Sequence, residues 1–247
     1  MSASAPNPLV LHAEQEHPRL RFVVVLALLA VYAVCFVAIR SLIGFAPGEL
    51  PSFAISLSCL LSLPLALVLV WLLEKWLKTV WPSGYNLVLA DDRLQVNQPE
   101  LDSLTFSWAM PLDLLTWYFS LQGYKRGGPE RRVPANWLCL ACQVQQEESR
   151  LIVFTYAAPA KAEVYLDGRA PVIKFHKINP VEVYSSTLSS RFQPPSRPNV
   201  IPTQVLNGKD GRFWLAEQRR WQEGLELPLK EFETFLNYLQ VHTTRSE

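Results

Sequence analysis

The chain shows two patterns of hydrophobic and polar positions. Residues 22–39 and 53–73 are runs of 18 and 21 residues without a charge. Each run is long enough to cross a hydrocarbon core of roughly 30 Å as an α-helix that rises about 1.5 Å per residue. From residue 85 onward, apolar and polar residues mostly alternate, as is typical of strands with one buried face. The pattern predicts two transmembrane helices followed by a β-rich domain.

A cleaved signal peptide is the main alternative for the first apolar run, because Arg19 and Arg21 precede it. However, the run is longer than the usual apolar region of about 7 to 15 residues, and it ends without a small-x-small cleavage site. We therefore expect a retained helix. The connecting segment 40–52 contains two prolines and two glycines, as expected of a turn between antiparallel helices.

The flanking charges predict the orientation of this hairpin. Arg19, Arg21, Lys75 and Lys78 lie outside the two runs, whereas the connecting loop holds only Arg40. Because basic residues favour the cytoplasmic side, we expect a two-pass protein of the plasma (inner) membrane with both termini in the cytoplasm.

Small side chains recur along one face of each predicted helix, which allows a neighbouring helix to approach closely. They are Ala27, Ala30 and Ala38 in the first run, and Ala54, Ser58, Ser62 and Ala66 in the second. Packing within the hairpin is the expected use of these faces, and dimerisation is the alternative. Neither run contains an Asp, Glu, Lys, Arg or His that would mark an ion or proton path.

The remainder predicts a domain of antiparallel strands finished by one helix. Strands are expected at 85–90, 93–96, 104–108, 137–145, 150–156, 163–167 and 172–178, with a further hairpin of 204–206 and 212–215 around a turn at 207–211. Pro228 and apolar residues at helical spacing predict a C-terminal amphipathic helix. The fold class is a membrane-anchored α+β protein, in which a two-helix transmembrane hairpin precedes an antiparallel β-barrel or sandwich closed by the C-terminal helix.

The predicted organisation has five parts. They are an N-terminal cytoplasmic tail (1–21), the hairpin (22–73), a juxtamembrane linker (74–84), the cytoplasmic domain (85–242) and a short tail (243–247). From residue 82 onward, 18 basic residues balance 18 acidic ones. Since a nucleic-acid-binding domain would carry a basic stripe, we do not expect nucleic acid as a partner.

The C-x-x-C pair, Cys139 and Cys142, is the one close pair of thiols in the chain. If residues 136–146 form a strand, successive side chains alternate faces and the two thiols point in opposite directions. A zinc site needs convergent ligands, and a thioredoxin-type site needs a helix that begins at the first cysteine. The pair is therefore expected to be one core and one surface cysteine, without a metal or a cofactor.

Residues 85–96 (YNLVLADDRLQV) and 104–108 (LTFSW) resemble the bacterial pleckstrin-homology-like domains of small two-helix membrane proteins. In that family, a hairpin of this kind with an acidic turn leads to a strand that ends in tryptophan. The segments 111–134 and 185–203 are longer than in a compact member. The resemblance implies an adaptor domain of pleckstrin-homology-like fold that binds lipids, peptides or other proteins, and it implies no reaction.

Two groups of side chains are candidate binding residues. Lys125, Arg126, Arg131 and Arg132 lie on a Gly- and Pro-containing loop that either contacts anionic lipid or is a solvated tip. Arg212, Trp214, Arg219, Arg220 and Trp221 have a composition typical of protein interfaces, and the alternative is tryptophans in the core with arginines reaching outward.

No motif of a catalytic site is present, so we expect a protein that is not an enzyme. The leading interpretation is a membrane protein whose cytoplasmic domain docks a protein partner or a second copy of the chain. The alternative is a module that senses anionic lipid through its basic loop.

Overall fold

The computed structural model describes residues 8–13, 18–45, 53–81, 83–99, 101–120, 122, 133–166, 173–184 and 197–243. The chain forms two compact units. The hairpin unit comprises residues 15–83, and the β unit comprises residues 84–247 together with residues 1–14.

The hairpin unit consists of two helices that pack on each other, α1 (Pro18–Gly44) and α2 (Ala54–Val80). Both are long and apolar enough to cross a membrane. Each helix extends beyond the apolar run that predicted it, because backbone helix formation does not require hydrophobic side chains. The last turns of α2 carry an ion pair, in which Lys78 Nζ lies 2.7 Å from Glu74 Oε1.

The first sheet of the β unit has four antiparallel strands in the order β1-β2-β3-β4. They are β1 (Leu9–His12), β2 (Asn86–Leu89), β3 (Arg93–Gln98) and β4 (Leu101–Ser107). Leu87, Leu94 and Phe106 are fully buried, whereas neighbours such as Arg93 and Thr105 are exposed. This sheet therefore has one core face, as the alternating pattern predicts.

The second sheet is mixed, with five strands in the order β8-β5-β6-β7-β9. They are β5 (Asp113–Ser120), β6 (Leu138–Gln146), β7 (Ser149–Ala157), β8 (His176–Lys177) and β9 (Leu225–Glu226). The two short edge strands pair in parallel with their neighbours. β6 and β7 are buried on both faces, which explains their nearly continuous apolar sequences.

The other elements of the β unit are helical. They are α3 (Pro159–Leu166), a 3₁₀ turn (Pro180–Glu182), α4 (Thr203–Leu206), α5 (Gly211–Glu223) and α6 (Leu229–Thr243). One core lies among the first sheet, one face of the second sheet and α6. A second core lies between the opposite face of the second sheet and α5.

Several predicted elements are confirmed, including the strands β2, β3, β4, β6 and β7 and the C-terminal helix. Others are wrong. Residues 163–166, expected in a strand, belong to α3, and the expected hairpin around residues 207–211 is instead the junction of α4 and α5. Of the strand expected at 172–178, the structure describes residues 173–178, and only residues 176–177 of these form β8. The described residues form two separate sheets, one of them mixed, and no closed antiparallel barrel.

The reason for the misassigned α5 lies in its buried positions. Phe213, Glu217 and Arg220 are buried at helical spacing, whereas Leu215 is exposed. The strand prediction had depended on the turn-like residues 207–211 and on the short apolar stretches that flank them. A buried acidic and a buried basic residue concealed the helical period, because both types normally mark a solvent face.

The N-terminal segment also differs from the expected separate tail. Residues 9–12 form β1, which pairs with β2 from Leu9↔Leu89 to His12↔Asn86. The pairing continues for one further bond, in which the N–H of Ala13 donates to the carbonyl of Tyr85 at 3.0 Å. The segments before α1 and after α2 are thus neighbours in one sheet.

Candidate functional site

An open cleft of about 290 Å³ lies at one edge of the second sheet. We call it the β5 cleft. It is lined by Leu114, Thr116, Lys174, Phe175, His176, Arg212 and Phe213. The lining comes from β5, from the segment around β8 and from the first turn of α5, so residues about 100 positions apart in sequence meet there.

His176 is held in place on one side of the cleft. Its Nε2 lies 2.9 Å from Oδ1 of Asp210, and its ring stacks on Phe213 with 3.9 Å between ring centroids. Asp210 directly precedes α5 but makes no side-chain hydrogen bond to the start of that helix. Its carboxylate instead fixes the imidazole, which orders this side of the cleft.

Two exposed cations, Lys174 and Arg212, lie on the cleft. The guanidinium carbon of Arg212 is 4.8 Å from the ring centroid of Phe213, a cation–π distance. The hydroxyl of Thr116 donates to the carbonyl of Lys174 at 2.8 Å, which attaches that segment to β5. The cleft therefore combines positive charge with an apolar and aromatic surface, a combination suited to a ligand with acidic and apolar groups.

A second polar arrangement lies inside the second core, around the carboxylate of Glu217. The Nε1 of Trp117 donates to Oε2 at 2.9 Å, and Nε1 of Trp221 donates to Oε1. Arg220 donates from Nε at 2.8 Å and from Nη2 at 2.7 Å. Glu217 and Arg220 are each only 2% exposed. This ion pair is not open to solvent, and the hydrogen bond from Trp117 joins α5 to the sheet.

The sequence grouped Arg212, Trp214, Arg219, Arg220 and Trp221 as one partner surface, but the helix separates them. Arg212 is exposed at the cleft, whereas Trp214 is buried and donates from Nε1 to Glu182 Oε2 at 3.1 Å. Arg219 is half-buried; burial and the nearby Arg150 lower its pKa, and Glu223 raises it. Arg220 points inward, so the alternative of arginines reaching outward from the core does not describe it.

The other nominated residues have different outcomes. Lys125, Arg126, Arg131 and Arg132 lie outside the described residues. In α2, Ser58, Ser62 and Ala66 are buried and Ala54 is half-buried, as expected of a packing face. In α1, Ala27 is half-buried but Ala30 and Ala38 are exposed. The buried side chains described in α1 are Leu20 and Cys35, so the alanine face of α1 does not match the packing face.

The two thiols of the C-x-x-C pair point to opposite faces, as predicted. Cys139 belongs to the second core and Cys142 to the first. The expected surface cysteine is nevertheless buried, because both faces of the second sheet are covered. Burial raises the pKa of the Cys142 thiol to about 12. Within the described part of the chain, no group of three or more His, Cys, Asp or Glu side chains is placed to hold a metal ion.

The sequence alone does not identify the cleft as a site. It nominated Arg212, but Leu114, Thr116, Phe175 and Asp210 lie in segments with no recognisable motif. The sequence signal for the cleft is Asp210, an acidic residue directly before the true start of α5. It is visible only once residues 211–223 are known to be a helix.

No family model, no curated protein and no solved structure gives a significant match to this chain. The resemblance to pleckstrin-homology-like domains stays a prediction.

Proposed function

We propose that this chain is a two-pass membrane protein whose β unit is a non-enzymatic docking domain for a protein partner or a second copy of the chain. The observation that carries the proposal is the β5 cleft, an open cleft where the exposed Lys174 and Arg212 lie beside half-buried and buried aromatic side chains. Arginine and aromatic side chains are enriched at protein interfaces. Two packed sheets with a C-terminal helix also support a pleckstrin-homology-like adaptor domain.

The proposed membrane arrangement has both termini in the cytoplasm. Two helices of sufficient length and hydropathy support the two crossings. The pairing of β1 with β2 supports an arrangement with both ends of the hairpin on one side, since strands within one sheet must lie in the same compartment. The basic residues at the outer ends of the two helices, beyond the apolar runs, favour the cytoplasmic side.

The first experiment is native mass spectrometry of the full chain purified from its own membrane in mild detergent. We expect a defined complex, either with another protein or between copies of this chain. A monomer without bound protein would contradict the proposal. It would favour the alternative of anionic-lipid recognition through Lys125, Arg126, Arg131 and Arg132, which flotation with phosphatidylserine vesicles measures.

A further inference from the structure

Among the described residues, one stretch of β5 has a paired strand on only one side. β5 pairs with β6 from Asp113 to Ser120, whereas β8 covers only Trp117 and Tyr118 on the opposite side. The N–H of Ile178 donates to the carbonyl of Tyr118 at 3.1 Å, so the backbone groups of Tyr118 point away from β6. Because backbone groups alternate along a strand, those of Leu114 point the same way. No described residue pairs with the backbone of Leu114 there.

This open edge lies in the β5 cleft, beside its two cations. Leu114 and Thr116 line the cleft together with Lys174 on one segment and Arg212 on α5. The carboxylate of Asp210 is already hydrogen-bonded to His176, and the two exposed cations have no carboxylate within ion-pair distance among the described residues. The cleft therefore offers ladder hydrogen bonds and positive charge at the same place.

We infer that the β5 edge at Leu114 accepts an extended acidic segment of a partner protein as an added strand. Backbone groups of the segment pair with the N–H and C=O of Leu114, as in other cases of β-strand addition. Acidic side chains of the segment pair with Lys174 and Arg212, and an apolar side chain contacts Phe175 or Phe213. A lipid headgroup would use the cations but not the strand edge. The inference rests on the proposed docking function and names the partner's chemistry.

The probe is a fluorescein-labelled heptapeptide of alternating Glu and Val with a central Phe, titrated with the full chain in detergent and followed by anisotropy. We expect saturable binding. Methylation of alternate backbone nitrogens removes the ladder donors, and this peptide should bind at least about tenfold more weakly. The double variant Lys174→Glu/Arg212→Glu should also bind the acidic peptide about tenfold more weakly, as expected for the loss of two exposed ion pairs. The same variant should bind a peptide with Lys in place of Glu more tightly than the unchanged chain does.

The matched control is Lys161→Glu/Lys230→Glu, which makes the same charge change at exposed helical positions outside the cleft. It should leave peptide affinity within twofold of the unchanged chain. Equal affinity for the acidic and basic peptides, or no effect of N-methylation, would overturn the inference. Binding to phosphatidylserine vesicles that depends on Lys174 and Arg212 without peptide binding would also overturn it and assign the cations to lipid.

Native mass spectrometry of the Lys174→Glu/Arg212→Glu variant separates this inference from the proposed function. If the variant loses the complex and the unchanged chain keeps it, the result supports both the docking function and the cleft as its site. A complex that survives in the variant leaves the docking function in place and excludes the cleft as its site. A monomer in both the variant and the unchanged chain excludes the docking function itself.

Discussion

At the residue scale, the most informative side chain is Glu217. Its two carboxylate oxygens accept four hydrogen bonds from Trp117, Arg220 and Trp221 inside the second core. A buried charge is tolerated only where such partners replace water. Three of the four donors come from α5 itself, and Trp117 on β5 supplies the bond that attaches the helix to the sheet.

We expect Glu217→Gln to lower the free energy of unfolding by about 3 kcal/mol, because it leaves the Arg220 guanidinium buried without its counter-charge. Urea unfolding of the full chain in detergent, followed by tryptophan fluorescence, measures this change. Glu223→Gln, on the exposed end of the same helix, is the control and should change stability by less than about 0.5 kcal/mol. Similar losses for the two variants would show that the buried ion pair has no special role.

The buried thiol of Cys142 predicts that the free energy of unfolding depends on pH. Burial raises its pKa to about 12, from an ordinary value of 9.0. The unfolded chain therefore loses this proton near pH 9, while the folded protein keeps it until about pH 12. The contribution to stability is complete below pH 9 and is lost as the pH rises toward 12, at up to about 1.4 kcal/mol per pH unit.

Cys142→Ala should remove this contribution, so its unfolding free energy should fall less steeply between pH 9 and pH 11 than that of the unchanged chain. Urea unfolding at successive pH values gives both slopes. Val153→Ala shortens the side chain directly opposite Cys142 in the same core and is the control. We expect Val153→Ala to lower the free energy of unfolding by the same amount at every pH. A Cys142→Ala slope equal to that of the unchanged chain would contradict the prediction.

At the scale of elements, the pairing of β1 with β2 connects the two ends of the hairpin. Val10 lies opposite Val88. Because the N–H of Ala13 bonds to Tyr85, alternation makes Val10 and Val88 a non-hydrogen-bonded pair, with Cα atoms about 4.5 Å apart. That separation is within the range that a disulfide spans.

We therefore expect Val10→Cys/Val88→Cys to form an intramolecular disulfide under mild oxidation, identified by peptide mass mapping. The control Val10→Cys/Gln95→Cys places the second thiol one strand further away, at about twice the interstrand spacing of 4.8 Å, and should not form one. Equal cross-linking of the two variants, or none in the first, would show that β1 does not occupy this position.

Elements also differ in how well their own sequence predicts them. β2 and β3 each bury one face and leave the other half-buried or exposed, so their alternation is visible without knowledge of their neighbours. α5 buries Glu217 and Arg220 together, and its period is hidden because each charge is compensated by the other. β8 and β9 have two residues each, too few for any period, and exist only as neighbours of β5 and β7.

At the scale of the whole molecule, the hairpin unit is one continuous segment of the chain, whereas the β unit consists of two segments that are separate in sequence. The β unit takes residues from both sides of the hairpin unit along the sequence. β1 can therefore pair with β2 only after residues 86–89 have been made, although β1 is synthesised first. Residues 9–12, which were expected to belong to an N-terminal tail, therefore form an edge strand of this sheet.

The sequence by itself determined the features that depend on each element's own burial. These are the two long apolar helices, the strands β2, β3, β4, β6 and β7, the opposite directions of Cys139 and Cys142, and the amphipathic face of α6. Only the tertiary structure decided the pairing of β1, the helical state of residues 211–223 and the β5 cleft. The physical reason is that periodicity reports whether a side chain is buried, whereas these three features depend on which distant residue buries or pairs with it.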